Sequence, residues 1–154
     1  MFVEQMLLRA HERLETVSAG APVIEAANLL SKPHTDIVVV CERGMVGVVT
    51  KTDIVGQIGK CDGKGCTARV DTIMTRDVVC CEPSESLQDV WRAMKESGLQ
   101  RVPLVDQFRK PIGIIYARDT LENLLCEVED EESLLRDYVK RRLSMRTNLV
   151  TRCL

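Results

Sequence analysis

The chain contains an internal repeat, and this repeat restricts the possible folds more than any other feature of the sequence. The heptapeptide Gly47–Asp53 (GVVTKTD) is matched 66 residues later by Gly113–Asp119 (GIIYARD). Each copy has a glycine, an apolar strand pattern, and a polar turn that leads into a predicted helix start with an aspartate. A repeated unit of this kind often cannot bury its apolar face alone, so we expect the two copies to pack against each other.

The repeat extends well upstream of the heptapeptide. Apolar residues at helical spacing predict an amphipathic helix in each copy, and an apolar run after each helix predicts a strand. A short strand is predicted in front of each helix, so each unit has the order β-α-β-β-α and the fold class is α+β. The predicted segments upstream of the heptapeptides are 16–18, 23–30 and 36–41 in the first unit, and 77–80, 87–94 and 101–106 in the second.

These patterns divide the chain into five segments. The last of them has acidic residues at its start and basic residues at its end, an order that favours a helix. An apolar stripe on this helix either packs on its own domain or lies across a dimer interface, or the helix is a free tail. The segments are the N-terminal helix 1–15, the first repeat 16–59, the inter-repeat loop 60–71, the second repeat 72–127, and the C-terminal helix and tail 128–154.

Composition and charge exclude several classes of protein. The 154 residues have a formal net charge of −2, so no basic field favours nucleic acid or an anionic membrane as a partner. No apolar stretch approaches the roughly 18 residues of a membrane helix, and no secretion signal is recognisable. The odd count of seven cysteines without such a signal predicts reduced thiols and a cytoplasmic location. Cys61 and Cys66 have the spacing of half a zinc site, but further ligands are lacking nearby, so no metal is predicted.

No motif in the sequence predicts an enzyme. Glycine-rich nucleotide loops, nucleophile elbows and zinc-protease motifs are all missing from it. The two histidines form no constellation with serine or cysteine in the sequence. We therefore expect a binding protein without catalytic activity or a prosthetic group.

The repeated strand-to-helix element has the chemistry to bind a ribose phosphate. Free N–H groups at a helix start attract an anion, and Thr50 and Lys51 add a hydroxyl and a charge there. Asp53, one turn further, can accept hydrogen bonds from a ribose diol. The alternative is that this aspartate only caps its helix, but its recurrence in both copies favours the ribose role. In the second copy Asp119 and Arg118 stand at the corresponding positions, and Ile37, Val49, Val102 and Ile115 would form an apolar wall for a flat base.

The two heptapeptides, together with Arg101–Asp106 (RVPLVD) and Ile73–Thr75 (IMT), resemble the CBS domain family. The resemblance covers roughly residues 16–127 and indicates a tandem pair of such domains. It implies two units that pack around a pseudo-twofold axis and leave two clefts for adenosine compounds such as AMP, ADP, ATP, NAD or S-adenosylmethionine. It also implies that two modules pair into a homodimer, and that binding regulates an unidentified partner protein.

The same resemblance assigns roles to individual residues. Asp53 and Asp119 would hold ribose, Thr50 the phosphate, and the strand residues around Ile37 and Val102–Pro103 the base, with Arg101 at the start of that strand in the same site. Tyr116 departs from the family pattern, which has serine or threonine there, so we expect the two clefts to be unequal. A second hypothesis is an interaction module with empty clefts that responds, if at all, through thiols such as Cys80 and Cys81.

Overall fold

The structure, a computed structural model, describes residues 1–61 and 67–152. The middle of the predicted inter-repeat loop, including Cys66, therefore lies outside the described residues. Two single 3-10 turns, at Val3–Met6 and Val70–Thr72, accompany the regular elements. Those elements are, in chain order, α1 (Leu7–Glu12), β1 (Thr16–Ser18), α2 (Val23–Leu30), β2 (Ile37–Cys41), β3 (Met45–Thr50), α3 (Lys51–Cys61), α4 (Leu87–Ser97), β4 (Arg101–Val105), β5 (Pro111–Tyr116) and α5 (Ala117–Arg152).

The two repeats form separate small sheets with equivalent strand registers. In the first, β1 runs parallel to β2 and β2 antiparallel to β3; in the second, β4 and β5 are antiparallel. Ile37 pairs with Thr50, and Arg101 pairs with Tyr116 in the corresponding place. Each hairpin also has a register shift near the end of its first strand. The predicted α+β fold with two equivalent units is confirmed.

The strand predicted at 77–80 is wrong. These residues form no strand, and only the next residue, Cys81, pairs with β4, through a single parallel bridge to Leu104. Its N–H donates to the carbonyl of Pro103 and its carbonyl accepts from the N–H of Val105. The alternation of apolar residues resembles a strand, but only one residue reaches the sheet edge. The preceding segment instead follows β3, where Thr75 exchanges two backbone hydrogen bonds with Val48.

Three apolar clusters form the core of the described residues, and one of them joins the two units. One lies inside the first repeat between α2, α3 and its sheet, and a second lies inside the second repeat. This second cluster includes Val3, Met6 and Ala10, so the N-terminal segment completes the core of the repeat that is distant in sequence. The third cluster joins the sheets of both repeats, with Val39 and Val48 from one and Val105 and Ile114 from the other among its members. The expectation that the two copies pack together is therefore met.

The repeated glycine allows a segment of backbone to approach each hairpin closely. A Cβ atom added at Gly47 would lie 2.7 Å from the carbonyl oxygen of Thr75. One added at Gly113 would lie 2.7 Å from the Cβ of Ala10 on α1. Any larger residue would push these segments away from β3 and β5, because protein interiors are tightly packed.

The C-terminal helix is continuous with the last helix of the second repeat. α5 passes the predicted boundary at 127/128 without interruption, and every residue from 128 to 145 is exposed. The interpretation that this helix packs on its own domain is therefore wrong. Within the described part of the chain, no helix combines enough length and apolar character to cross a membrane.

Candidate functional site

Two open cavities lie where the repeats meet. Cleft I, of about 630 Å³, is bordered by the start of β2, the end of β3, the start of α3, the segment 75–79 and the start of β4. Cleft II, of about 460 Å³, lies around the end of β5 and the start of α5. Asp36 and Arg101 border both cavities. The predicted residues that line cleft I are Ile37, Thr50, Lys51, Arg101 and Pro103, and those that line cleft II are Arg101, Tyr116 and Arg118.

A carboxylate with two cations forms the polar part of cleft I. The Nη2 of Arg101 donates to Oδ2 of Asp36 at 2.7 Å, and the Nζ of Lys51 donates to Oδ1 at 3.3 Å. Burial raises the pKa of Asp36, but the hydrogen bond from Lys51 and the charge of Arg101 outweigh this effect and hold it below its ordinary value. Asp36 is therefore ionised at neutral pH and is shared by one cation from each repeat.

Arg101 retains an unused donor in this group. Its Nε is buried and has no hydrogen-bond partner among the described residues. Buried donors in folded proteins nearly always have an acceptor, in the protein or from water or a ligand. Since Arg101 borders both clefts, an oxygen atom of a bound molecule is a suitable partner.

Asp53 caps its own helix. Its Oδ2 accepts hydrogen bonds from the backbone N–H of Thr50 at 2.9 Å and from the Thr50 hydroxyl at 3.1 Å. This is the geometry of the capping alternative, in which the residue at the third helical position bonds back to the N-cap. Asp53 does not line cleft I, and the Thr50 hydroxyl donates to Asp53. The first free N–H groups of α3, at Lys51 and Thr52, remain as donors for an anion in the cleft.

Two arginines contact the ring of Tyr116 in cleft II. The Arg13 guanidinium is 4.2 Å from the ring centroid and that of Arg101 is 5.3 Å away, which are cation–π distances. The Tyr116 hydroxyl donates to the backbone carbonyl of His34 at 3.3 Å. This hydrogen bond joins two residues that line cleft II. The first repeat has the smaller Thr50 at the position of Tyr116.

Asp119 is not accessible from cleft II. The Nε of Arg13 donates to its Oδ2 at 2.9 Å and the Nη2 to its Oδ1 at 3.3 Å, while Arg9 lies 3.6 Å from the same carboxylate. Asp119 is 3% exposed and borders neither cavity. A ribose could reach this carboxylate only after displacing Arg13. Arg118, by contrast, is exposed at the edge of cleft II and pairs with Glu122.

The expected apolar wall requires correction. Val49, Val102 and Ile115 are almost fully buried inside the two repeat cores and line neither cavity. Successive strand residues point to opposite sheet faces, and these three point toward the helices. Of the four residues predicted for the wall, Ile37 alone borders a cleft. The apolar lining of cleft I comes instead from Val48, Val78, Val79, Leu99 and Pro103.

Several polar residues of the site were missed at the sequence level, and Asp36 and Arg13 are the two with charged partners there. Asp36 directly precedes β2, and Gln100 directly precedes β4. An alignment of the two repeats therefore places a polar residue before this strand in each copy, and this pattern could have identified Asp36. Arg13 comes from the N-terminal segment, 106 positions before its partner Asp119. No local pattern in the sequence connects those two residues.

The cysteines form no obvious reactive centre in the described part of the chain. Burial, with the nearby charges of Glu85 and Cys80, raises the pKa of the Cys81 thiol to about 12. Burial also raises the pKa of Cys41. Among residues 1–61 and 67–152, no group of three or more histidine, cysteine or acidic side chains is arranged to hold a metal ion.

Comparison with known proteins identifies the family. The CBS domain profile matches residues 5–60 and again residues 70–125, so the chain belongs to the CBS domain family and contains two copies of the domain. The structure of CBSX2 from Arabidopsis thaliana superposes with a TM-score of 0.70 at 23% identity, covering 83% of this chain and 96% of that one. A structure of CBSX2 in complex with AMP gives a TM-score of 0.67 at 25% identity, covering 80% of this chain and 96% of that one.

Relatives in sequence include both small and large proteins. The CBS domain-containing protein YhcV of Bacillus subtilis is 29% identical over 72% of this chain and 79% of its own length. A homoserine O-acetyltransferase of Methanococcoides burtonii is 32% identical over 70% of this chain, but only 22% of that enzyme is covered. The chain spans about a fifth to a half of the length of the curated relatives that it matches first. The similarity to those larger proteins is therefore a similarity to one part of them.

Proposed function

We propose that this chain is a cytoplasmic regulatory module that binds an adenosine-containing ligand in cleft I and signals ligand binding to a separate protein. The observation that carries the proposal is the polar group formed by Asp36, Lys51 and Arg101, in which one carboxylate faces two cations and one buried donor is unused. The group lies in a cleft of about 630 Å³, within the usual range for small-molecule sites.

The charges and backbone of cleft I suit a nucleotide phosphate. Lys51 is at the first position of α3, where free N–H groups and the helix dipole attract an anion. A phosphate that contacts Lys51 and Arg101 replaces the Asp36 carboxylate as their partner, and Arg101 can then use its Nε as well. This arrangement favours AMP, ATP or NAD over uncharged adenosine.

The base and ribose have separate candidate contacts in the same cleft. Val48 from the first repeat and Pro103 from the second both line the cleft and offer apolar surfaces to a flat ring. Asp53 uses Oδ2 for its cap and does not itself line cleft I. Its Oδ1 accepts no hydrogen bond from the described residues, and the adjacent Thr52 lines the cleft, so we assign Oδ1 to a ribose hydroxyl. We assign weaker nucleotide binding to cleft II, because Tyr116 narrows this cleft and Arg13 is already bonded to the Asp119 carboxylate.

Family relationships support the ligand class. CBSX2, which has the same fold and similar extent, has been crystallised with AMP. Cys41, Cys80, Cys81 and Cys126 are free thiols, which suits the reducing cytoplasm. The proposed output is through contact with a partner protein whose affinity depends on the occupancy of cleft I.

Thermal unfolding with a panel of adenosine compounds tests the proposal. A ligand of the native state raises the midpoint in proportion to its binding free energy, so AMP, ADP, ATP and NAD are compared with adenosine and with GMP. We expect an adenine nucleotide to raise the midpoint and GMP to leave it nearly unchanged. The absence of a shift with every adenosine compound at millimolar concentration would contradict the proposal.

A pair of lysine variants on one helix locates the site. Lys51→Ala removes a charge in cleft I and should weaken binding of the active nucleotide by roughly ten- to hundredfold, the effect of losing a charge-assisted hydrogen bond. Lys60→Ala removes an exposed charge at the other end of α3 and should bind like the parent. Equal affinities for the two variants by calorimetry would exclude cleft I as the phosphate site.

A further inference from the structure

The C-terminal part of α5 exposes an apolar stripe that its own domain does not cover. At 3.6 residues per turn, Val128, Leu135, Val139 and Leu143 fall on one side of the helix. All four are more than half exposed. A shallow groove of about 370 Å³ runs between Leu135 and Val139, and the charged side chains of Glu132, Arg136 and Lys140 line it as well. Exposed apolar surface of this continuity on a protein marks an interaction site.

Charge is distributed unevenly along the same segment. Five acidic residues lie between positions 127 and 132, whereas Arg136 and the run Lys140–Arg142 make the following turns basic. Two such helices packed side by side in parallel would bring like charges together. Two packed antiparallel would place the acidic turns of each against the basic turns of the other. Flanking charges of this kind determine orientation in paired helices.

We propose that residues 128–145 of α5 bind the same segment of a second copy of this chain in an antiparallel helix pair. The two apolar stripes form the buried seam, and Leu135 lies beside the twofold axis. The overlap is about 18 residues, or roughly 27 Å of helix at 1.5 Å per residue. This interface belongs to the extension beyond the CBS domains and does not depend on ligand in cleft I.

The helical geometry gives a consistent set of charge pairs for this register. Glu131 and Arg142 lie on one flank of the stripe, and Glu129 and Lys140 lie on the other. In an antiparallel pair, positions on the same flank of the two helices face each other. Glu131 then faces Arg142 of the second copy and Glu129 faces Lys140, each twice by symmetry. All four side chains are exposed and available for these contacts.

Charge reversal in the full-length chain tests the interface. The variant Glu129→Lys/Glu131→Lys makes both flanks basic and should raise the dimer dissociation constant about tenfold or more at low salt, measured by sedimentation. Adding Lys140→Glu/Arg142→Glu to it exchanges the two charge blocks and should restore the parent affinity. The control Asp130→Lys/Arg141→Glu changes exposed charges on the opposite side of the helix and should have no effect.

Mixing the parent with the fourfold variant determines the orientation. In an antiparallel pair the mixed dimer brings like charges together, so native mass spectrometry should show two homodimers and little heterodimer. A predominance of heterodimer means parallel helices and overturns the proposal. A parent that is monomeric at about 100 μM, or an acidic-block variant that dimerises as tightly as the parent, overturns it as well. Circular dichroism verifies that each variant retains its helix.

Discussion

The guanidinium of Arg13 donates two hydrogen bonds to the buried carboxylate of Asp119 and so fastens the N-terminal segment to the start of α5. The equivalent aspartate of the first repeat, Asp53, bonds instead to Thr50 at the start of its own helix. One sequence motif therefore has two structural settings. In the first repeat the aspartate stays within its own helix start, next to residues that line cleft I, and in the second it joins distant parts of the chain.

Asp119→Asn should destabilise the fold more than it affects ligand binding. Removal of one member of a buried charge pair leaves the other without compensation, at a cost of about 3 kcal/mol in the free energy of unfolding. Urea denaturation measures this cost. Glu122→Gln, on the exposed side of the same helix, should change stability by less than about 0.5 kcal/mol. If Asp119→Asn retains the parent stability but loses nucleotide affinity, Asp119 is a ribose contact, as the family resemblance implies.

The repeat predicted most of the fold, because apolar periodicity and strand order are local properties. The repeat did not predict the structure of segments whose conformation or contacts depend on residues distant in the sequence. The segment 77–80 has the alternation of a strand, but only Cys81 reaches the edge of β4. Arg13 has no signal in the sequence that connects it with Asp119.

The sequence predicted site residues correctly at strand ends more often than within strands. Thr50, Lys51 and Arg101 border clefts, since the chain turns there between the two repeats. Val49 and Val102 lie one position further inside their strands and face the opposite side of the sheet. A shift of one residue reverses the direction of a strand side chain, so a resemblance that identifies the strand does not identify its ligand-facing residues.

Asp53→Ala separates the capping role from the ribose role. Loss of the cap should lower the free energy of unfolding by about 1 kcal/mol. Loss of a hydrogen bond to the ribose diol should also weaken AMP binding by roughly ten- to hundredfold. A 2′,3′-dideoxy analogue of AMP provides the matched ligand in calorimetry. The parent should prefer AMP over this analogue, and Asp53→Ala should bind the two equally. A preference for AMP that survives in Asp53→Ala would limit Asp53 to capping.

Asp36→Asn should increase the affinity of cleft I for anionic nucleotides, because Lys51 and Arg101 lose the carboxylate that competes with phosphate. Binding of uncharged adenosine should stay constant, and Asp89→Asn, an exposed aspartate on α4, is the control. Weaker AMP binding in Asp36→Asn would mean that this carboxylate contacts the ligand directly.

The same residue gives a pH dependence of stability. The pKa of Asp36 is lowered in the folded state from its ordinary value of 3.8. Its ion pairs therefore stabilise the fold fully above that ordinary pKa, and this contribution is lost as the pH falls through the lowered one. Asp36→Asn should be less stable than the parent at pH 7, and the difference in urea midpoint should shrink in strongly acidic solution. A difference that is independent of pH contradicts this assignment.

Gly113→Ala and Gly56→Ala should change stability in opposite directions. A Cβ at position 113 would meet the Cβ and the carbonyl carbon of Ala10 at 2.7 and 2.8 Å, so the substitution should cost about 1–3 kcal/mol. A Cβ at position 56 on α3 meets nothing within 4 Å, and alanine there should stabilise the helix by about 0.5–1 kcal/mol. Calorimetric scans should show a lower midpoint for the first variant and a higher one for the second. An unchanged midpoint for Gly113→Ala would mean that α1 does not lie against β5 in solution.

Cys81 should be inert toward alkylation in the folded protein. Its pKa is raised to about 12, first by burial and then by the charges of Glu85 and Cys80, so the neutral thiol predominates at pH 8 and little of the reactive thiolate is present. Iodoacetamide followed by mass spectrometry should modify the exposed Cys126 and leave Cys81 unmodified. In urea the pKa returns to its ordinary value and Cys81 should react at a rate similar to that of Cys126. Modification of Cys81 in the native protein as fast as Cys126, or its recovery in a disulfide with Cys80, would favour a thiol-responsive module over the nucleotide sensor.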